Sequence, residues 1–259
     1  MRPGNYPEQA LTYDLTRRAS PTLVRLLAKY LGASGEGRTL LDIAGGTGNY
    51  AEVMFARGFR PIVVDLEVAM LARARDKVGR AVAADAARLP FREESFEAAM
   101  FVSALHLLKD KRTALAEARR VIRTGPFLLQ AFTDENLLPL FVFEYFPGSA
   151  PPPRMHQTAD EIESMLRDVG FGNVQKETFV YADTADGTLA ALHTDAFALA
   201  GPAYLRNTSW WHRLDTKTRR AGLARLARDL RSGRLEERVK ESFRLAARHG
   251  HGTVFVAMP

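Results

Sequence analysis

The sequence predicts a doubly wound α/β fold: one mostly parallel sheet of seven strands, flanked by helices, with a helical lid insertion near the C-terminus. Three observations predict this fold class. Short apolar runs alternate with helical patterns of about ten residues, which is typical of parallel βαβ units. The first apolar run ends in a glycine-rich turn. The chain has 259 residues, 46% of them hydrophobic, enough to bury the core of one such domain.

The strands are predicted from the short apolar runs. In chain order they are TLLDIA, PIVVDL, AVAADA, EAAMFVSA, PFLLQAF, VQKETFVYA and GTVFVAMP. Helices are predicted before and between them, where apolar residues recur at helical spacing. In chain order they are Thr22–Leu31, NYAEVMFARG, AMLARARDKV, RTALAEARRVI and TADEIESMLRDVGF. The last helix begins with a capping-box spacing, Thr158 followed three residues later by Glu161.

The chain is expected to form a single domain over residues 1–259, divided into three parts. Residues 1–35 would form an N-terminal helical cover and residues 36–182 the cofactor-binding core. Residues 183–251 are helical in pattern and too long for a simple connection before the last strand. Because open α/β sheets bind ligands at the carboxyl ends of their strands, this insertion is expected to cover that edge. A second lid is expected at FVFEYFPGSAPPPRMH, stiffened by Pro151–Pro153.

The composition excludes several kinds of chemistry. No cysteine is present, which excludes disulfides, thiolate metal ligands and a cysteine nucleophile. No acidic cluster suits a metal ion, so no metal is expected. The net charge is +6, but basic residues alternate with acids in RLARDLRSGRLEERVKESFRLAAR, as on a solvated helix face. We therefore expect no nucleic-acid partner.

The chain shows no apolar segment of the length needed to span a membrane. The most apolar window, LLPLFVFEYF, contains a proline and an acid and is too short. The N-terminal segment MRPGNYPEQALTYDLTRR has no apolar signal-peptide core. We expect a cytoplasmic protein with no membrane span.

A glycine-rich turn follows the first predicted strand. In LLDIAGGTGNYAEV, Gly45, Gly46 and Gly48 permit positive φ and a close approach of a ligand to the main chain. A helix is predicted to begin near Asn49, and its unpaired N–H groups would face an anionic group. The spacing differs from G-x-G-x-x-G because position 51 is alanine, so the dinucleotide fingerprint is a poor match.

Two acids follow the next two strands. Asp65 ends the second strand, twenty positions after Gly45, where one carboxylate can accept hydrogen bonds from both hydroxyls of a ribose. Alternatively, Asp65 is an acid at the end of a strand that caps the helix after it. Asp85 follows the third strand and precedes Ala86, and a carboxylate with a backbone N–H there could hold an amine-bearing base.

These elements together resemble the class I methyltransferases that use S-adenosylmethionine. The family pattern acid-x-Gly-x-Gly-x-Gly is matched by DIAGGTG at 42–48, with alanine in the first glycine place. LLDIAGGTG is especially similar to the ubiquinone and menaquinone biosynthesis methyltransferases. VVDLEVAML, ADAARLPFREESFEAAMFVSALHLL and ALAEARRVIRTGPF follow in the family's order. The resemblance spans Tyr13 to Phe132 and implies a Rossmann-like sheet, S-adenosyl-L-methionine as cofactor and S-adenosyl-L-homocysteine as product.

The resemblance also implies a set of cofactor-binding residues. The turn Ala44–Gly46 would cradle the methionine moiety, and Asp42 would orient that turn or take the amino group. Arg17, in YDLTR, would reach the carboxylate of the cofactor. A surface amphipathic turn is the alternative reading of that segment. The full set is Tyr13, Arg17, Asp42, Ala44, Gly45, Gly46, Gly48, Asp65, Leu66, Met70, Asp85, Ala86 and Ser103.

The remaining members of the set concern the other end of the cofactor and the reacting sulfur. Leu66 and Met70 would line the adenine. Asp85 and Ala86 would address its amine and ring nitrogen. Ser103, after the fourth strand, would lie beside the sulfonium.

Methyl transfer needs alignment of the acceptor and exclusion of water, and a base where the acceptor carries a proton. His106 lies three residues past Ser103 and is the catalytic candidate, because a near-neutral pKa suits proton transfer. A packed or capping histidine is the alternative.

Two stretches are long enough to cover the methyl group, 141–156 and 183–251. Both mix large aromatic side chains with a few polar groups, which favours a mostly apolar acceptor that is aromatic or polyketide- or quinone-like. We expect a buried cavity contacted by both stretches, with His106 on its wall. The expected lining residues are Phe143, Tyr145, Tyr204, Trp210, Trp211 and His212.

Two other functions stay open. An RNA methyltransferase would fit the basic pI, although strand four ends in FVSALHLL and lacks the Asn/Asp-Pro-Pro-aromatic motif of amino-group base methylation. The second open function is that of a methyltransferase-fold protein that binds the cofactor but methylates no acceptor. The identity of the small-molecule acceptor, the methylated atom and the oligomeric state are not readable from the sequence.

Overall fold

The computed structural model describes residues 12–151, 155–208 and 210–259. Within these ranges it confirms the predicted α/β fold, with one seven-stranded sheet in the order β3-β2-β1-β4-β5-β7-β6. The predictions for residues 1–11, and for the proline run beyond Pro151, lie outside the described residues. The strands are β1 Thr39–Ile43, β2 Arg60–Asp65, β3 Ala81–Ala83, β4 Ala98–Val102, β5 Phe127–Ala131, β6 Asn173–Phe179 and β7 Gly252–Met258.

The strand order creates a crevice at one edge of the sheet. Strands β1 to β5 pair in parallel, whereas β7 runs antiparallel to both β5 and β6. The chain order reverses between β1 and β4, which are direct neighbours. Ligands bind outside the carboxyl ends of the strands at such a switch point. The glycine-rich turn after β1 lies at this point.

The helices match the predicted segments, and several begin with a side-chain cap. At α7 the Thr158 hydroxyl accepts from Glu161 N–H at 3.2 Å, and the Glu161 carboxylate accepts from Thr158 N–H at 2.9 Å, confirming the predicted capping box. The helices are α1 Tyr13–Thr16, α2 Pro21–Leu31, α3 Asn49–Ala56, α4 Val68–Val78, α5 Lys111–Val121, α6 Asp134–Leu137, α7 Ala159–Asp168, α8 Leu189–Leu192, α9 Ala196–Ala200, α10 Pro202–Arg206, α11 Thr216–Arg231 and α12 Arg234–His249.

Three hydrophobic clusters hold the fold together. Alternate residues of each central strand enter opposite faces of the sheet, so Leu41 and Phe101 lie in one cluster and Leu40 and Met100 in the other. The third cluster lies within the insertion and the second lid, where Phe146 packs edge-on against Trp210 at a ring-centroid distance of 5.0 Å. The covering elements therefore have a core of their own.

The N-terminal segment is tied to the glycine-rich turn by polar contacts. The Asp14 carboxylate accepts from the Thr47 hydroxyl at 2.6 Å and from the Asn49 side chain at 3.1 Å. Lys77, on α4, forms an ion pair with the same carboxylate at 2.8 Å. Because these contacts join α1 to the start of α3, the N-terminal segment lies at the rim of the crevice.

Candidate active site

The crevice at the switch point is a cleft of about 780 Å³. Pockets that bind small molecules and cofactors have volumes of this order. Twelve of the thirteen residues predicted to bind the cofactor line the cleft. They are Tyr13, Arg17, Asp42, Ala44, Gly45, Gly46, Asp65, Leu66, Met70, Asp85, Ala86 and Ser103.

The glycines of the turn differ in backbone φ and in the space around their Cα atoms. Gly46 and Gly48 adopt positive φ as predicted, at 56° and 75°, and so does Ala44, at 52°. Gly45 lines the cleft without a positive φ: a Cβ there would lie 2.5 Å from the Asp42 carboxyl, so close packing is the reason for glycine at this position. A Cβ on Gly46 would meet no atom within 4 Å, which leaves that backbone open to a ligand.

Gly48 is the predicted site residue that does not line the cleft. It caps the N-terminus of α3 in the left-handed region. A Cβ on it would come within 3.1 Å of the Cβ of Ala74 on α4. The absence of a side chain at Gly48 therefore allows the close contact between two helices, and its predicted contact with the cofactor stays a prediction.

Asp42 is buried beneath the turn, with 2% of the residue exposed. Burial, and secondarily the charge of Asp65, raises its pKa to about 8, although a hydrogen bond from the Ala51 backbone acts in the opposite direction. Among the described residues, its Oδ1 atom has no hydrogen-bond partner. A buried carboxyl oxygen with no partner is costly, and a cationic group in the cleft would satisfy it.

Asp65 lies at the end of β2 and is tied to the main chain on both sides. Its Oδ2 accepts from Gly46 N–H at 2.8 Å and its Oδ1 from Glu67 N–H at 2.9 Å. Burial raises the pKa of this carboxyl, and hydrogen bonding to the backbone of Glu67, Gly46 and Leu66 opposes that shift. Each oxygen keeps one further acceptor site for a ligand.

The predicted adenine end of the cleft is formed by residues after β2 and β3. Leu66 is 72% exposed and lies at the open rim of the cleft. Met70 is only 3% exposed and forms part of its apolar floor. Asp85 is exposed and accepts from Ala87 N–H at 2.9 Å, and Ala86 beside it is buried. All four side chains line the cleft.

The opposite end of the cleft contains an ion pair that sequence reasoning missed. Arg17 lies 3.3 Å from Asp186, which belongs to the insertion, and both side chains are largely buried. Burial raises the pKa of Asp186, although Arg17 and the hydroxyls of Tyr50 and Tyr181 favour its charged form. The Arg17 Nε atom has no partner among the described residues. No motif in the sequence indicates Asp186, because Arg17 and Tyr50, which contact it, are more than a hundred residues away along the chain.

A second, inner cavity of about 120 Å³ adjoins the cleft. Residues that line both are Tyr13, Arg17, Ser103, His106, Leu107, Met155 and Arg213. Ser103 adopts a φ of 57° and its hydroxyl donates to the Gln130 side chain at 2.5 Å. A non-glycine residue in this region is uncommon and requires support from its surroundings.

Two histidines line the inner cavity. The rings of His106 and His156 have centroids 5.1 Å apart, and His156 Nδ1 lies 3.1 Å from the Phe132 carbonyl oxygen. Burial, reinforced by His156 and nearby cations, lowers the pKa of His106 to about 3, and burial also lowers the pKa of His156. The near-neutral pKa expected for His106 is therefore wrong: both rings are neutral at physiological pH.

Both lids line the inner cavity, but not with all the aromatic residues expected. Phe143 and Trp210 line it as predicted. The other four belong to the packing of the lids. The Tyr145 hydroxyl donates to Asp229, Trp211 packs on Phe146, Tyr204 belongs to the lid core, and His212 contacts the Arg206 carbonyl.

The described part of the chain contains neither a metal-binding cluster nor a membrane-spanning helix. In that part, no group of three or more histidine, aspartate and glutamate side chains is arranged to hold a metal ion. No helix there is both long and apolar enough to cross a membrane.

The sheet order, the glycine-rich turn and the acid at the end of β2 define the class of protein, a Rossmann-like methyltransferase. A family model described as "Methyltransferase domain" matches residues 41–129. The ubiquinone/menaquinone biosynthesis C-methyltransferase of Acidiphilium cryptum is 39% identical over 188 residues, which cover 61% of this chain and 73% of that protein. The chain therefore belongs to the class I S-adenosylmethionine-dependent methyltransferases.

Other matches cover a shorter part of the chain or have a lower sequence identity. The demethylmenaquinone methyltransferase of Mycobacterium sp. strain KMS is 37% identical over 91 residues, covering 35% of this chain and 40% of that protein. A crystal structure of a putative methyltransferase from an antibiotic biosynthesis pathway of Anabaena variabilis superimposes with a TM-score of 0.78, covering 94% of this chain and 99% of that one. At 19% identity it shows that the fold is shared over nearly the whole chain, lids included.

Proposed function

We propose that the cleft holds S-adenosylmethionine, whose sulfonium supplies an already activated methyl group. The open Gly46 backbone and the orphan oxygen of Asp42 suit its methionine moiety, since one allows close approach and the other needs a cation. Asp65 would accept from the ribose hydroxyls. Arg17 would bind the carboxylate through its unpartnered Nε.

The acceptor is a small, largely apolar or aromatic molecule. The observation that carries this proposal is the inner cavity of about 120 Å³, which shares lining residues with the cleft and is also lined by side chains of both lids. Its walls are mostly apolar, among them Phe132, Leu140, Phe143 and Trp210. Relatives of the chain are named for ubiquinone and menaquinone biosynthesis, which favours a quinone-type ring among such acceptors.

The protein's contribution to the reaction is alignment and exclusion of water. An in-line displacement of the methyl group would require the acceptor atom to be held opposite the sulfur of the cofactor, and the walls of the cleft and the inner cavity would provide that alignment. Ser103 and His106 line both spaces, and so lie where the two reactants would meet. A neutral His106 would accept a hydrogen bond from an acceptor hydroxyl. Its low pKa makes it a weak base, so its main role would be orientation.

The alternative of an RNA substrate finds little support in the charge distribution. Two basic side chains of α12 are paired with acids, Arg238 with Glu144 at 2.7 Å and Lys240 with Glu237 at 2.7 Å, and α11 carries Asp229 among its arginines. Interleaved charges of this kind give no continuous track for a phosphate backbone.

A labelling experiment separates these functions. The protein is incubated with methyl-labelled S-adenosylmethionine, total tRNA and a metabolite extract supplemented with naphthoquinols and phenols. We expect label in the fraction of small organic molecules and no label in RNA, with His106→Asn reducing the rate. Label in tRNA would contradict the proposed acceptor. Binding of S-adenosylhomocysteine without any labelled product would instead favour a non-methylating binder.

A further inference from the structure

We infer that the acceptor binds as a carboxylate anion, a ring-sized organic acid whose charged group is held by Arg213. This inference rests on the proposed function and names the chemical class of the acceptor. It is carried by three features of the inner cavity: an arginine without a counterion at its mouth, a wall without acids, and a volume close to that of one ring.

Arg213 lies where the inner cavity opens into the cleft, and it lines both. It ends the short 3₁₀ helix Trp211–Arg213 and is exposed enough for a ligand to reach. Among the described residues, the side chain of Arg213 contacts the thioether of Met155, Nη1 to Sδ at 3.3 Å. A sulfur atom is a weak acceptor, so most of the guanidinium's five donor hydrogens have no strong acceptor in that part of the chain.

Neighbouring arginines have partners that Arg213 lacks. Arg17 pairs with Asp186, and Arg238 pairs with Glu144. Arg219 stacks on the Trp211 ring at 5.4 Å and donates to the Trp211 carbonyl. Within the described ranges, no carboxylate lies within ion-pair distance of Arg213. Partial burial lowers the pKa of its guanidinium, which reflects a charge that loses water without gaining a counterion.

The walls of the inner cavity carry cations and neutral groups only. Its described lining residues include two arginines and two histidines, but no aspartate or glutamate. Since His106 and His156 are neutral at physiological pH, neither supplies a charge of either sign. The Arg17 charge is offset by Asp186, so the uncompensated charge at this cavity is that of Arg213. An anionic ligand would meet attraction there and no nearby repulsion.

The size of the cavity limits the acceptor. A cavity of about 150 Å³ in another protein accommodates benzene, so about 120 Å³ suits a single ring in this conformation. The planar fork of an arginine matches the two oxygens of a carboxylate, which it can bind through two parallel hydrogen bonds. A ring within the cavity and a carboxylate at its mouth satisfy both features.

Benzoate and benzamide test this inference, because they share a ring and a planar substituent but differ in charge. Binding of each is measured by calorimetry at pH 7.5 with S-adenosylhomocysteine at saturation. Wild-type protein is compared with Arg213→Gln and with Arg220→Gln, a matched control on the exposed surface of α11 that lines neither space. Thermal melting checks that each variant is folded.

We expect benzoate to bind roughly tenfold or more tightly than benzamide, because charge-assisted hydrogen bonds are about twice as strong as neutral ones. Arg213→Gln should remove that preference, and Arg220→Gln should keep it. Equal binding of the two compounds, no binding of either, or a preference that survives in Arg213→Gln would overturn the inference. A different result would contradict the proposed function itself: a folded wild-type protein that does not bind S-adenosylhomocysteine.

Discussion

Replacing Asp65 tests the assignment of the cofactor site. Each oxygen of the Asp65 carboxylate accepts one backbone hydrogen bond, Oδ2 from Gly46 at 2.8 Å and Oδ1 from Glu67 at 2.9 Å. One acceptor site on each oxygen remains for the two hydroxyls of a ribose. Asp65→Asn keeps the size of the side chain but loses the charge and one acceptor oxygen, whereas Asp65→Ala loses both interactions.

The size of the effect follows from these contacts. Hydrogen bonds to a charged group contribute more than neutral ones, and losing them should cost about 1–3 kcal/mol of binding free energy. That corresponds to a roughly 5- to 150-fold increase in the Kd for S-adenosylhomocysteine. Asp65→Ala should lie toward the upper end of that range and Asp65→Asn toward the lower end.

Calorimetry with S-adenosylhomocysteine measures this change directly. Because Asp65 also holds the turn through Gly46, thermal melting of the free protein must show that the variant is folded. Asp76→Asn removes the same charge from an exposed position on α4 and serves as the control. A folded Asp65→Ala protein that binds within twofold of wild type would refute the proposed site.

Two further predictions concern the turn and the acid beneath it. Gly45→Ala should destabilise the protein by about 1–3 kcal/mol, since its Cβ would lie 2.5 Å from the buried Asp42 carboxyl. Gly46→Ala, whose Cβ meets no atom within 4 Å but whose φ is 56°, should lose about 1–2 kcal/mol of stability through backbone strain and should also weaken S-adenosylhomocysteine binding; denaturant melts measure the stability of both variants, calorimetry on the folded Gly46→Ala protein measures the second effect, and binding as tight as that of wild type would contradict this reasoning. Asp42 has a folded-state pKa of about 8, above its unfolded value of 3.8, so its contribution to stability falls as pH rises from about 4 to 8. Asp42→Asn should remove a slope of at most about 1.4 kcal/mol per pH unit from the free energy of unfolding, and parallel profiles for the two proteins from pH 5 to 7.5 would disprove that assignment.

The predictions that succeeded depend on local chemistry. The seven strands and the order of helices follow from apolar periodicity, which short-range backbone geometry dictates. The turn after β1 and Asp65 after β2 were placed together because neighbouring parallel strands bring their carboxyl ends to one edge. The capping box at Thr158 needs only contacts within four residues.

The predictions that failed depend on contacts between distant segments. Gly48 does not line the cleft, and the absence of a side chain there allows the approach of Ala74 on another helix. The aromatic residues of the lids were expected in the cavity, but Tyr145 and Trp211 pack within the lids themselves. Sequence spacing does not say which side of a helix a distant segment will cover.

The sequence by itself determined the fold class, the family and the edge of the sheet at which the site lies, because these depend on periodicity and on motifs confined to a few residues. Only the tertiary structure decided the electrostatics of that site. The pairing of Arg17 with Asp186, the low pKa of His106 and the unpaired charge of Arg213 each arise from side chains far apart along the chain. Burial and the distance between charges set these properties, and both are defined only once the chain is folded.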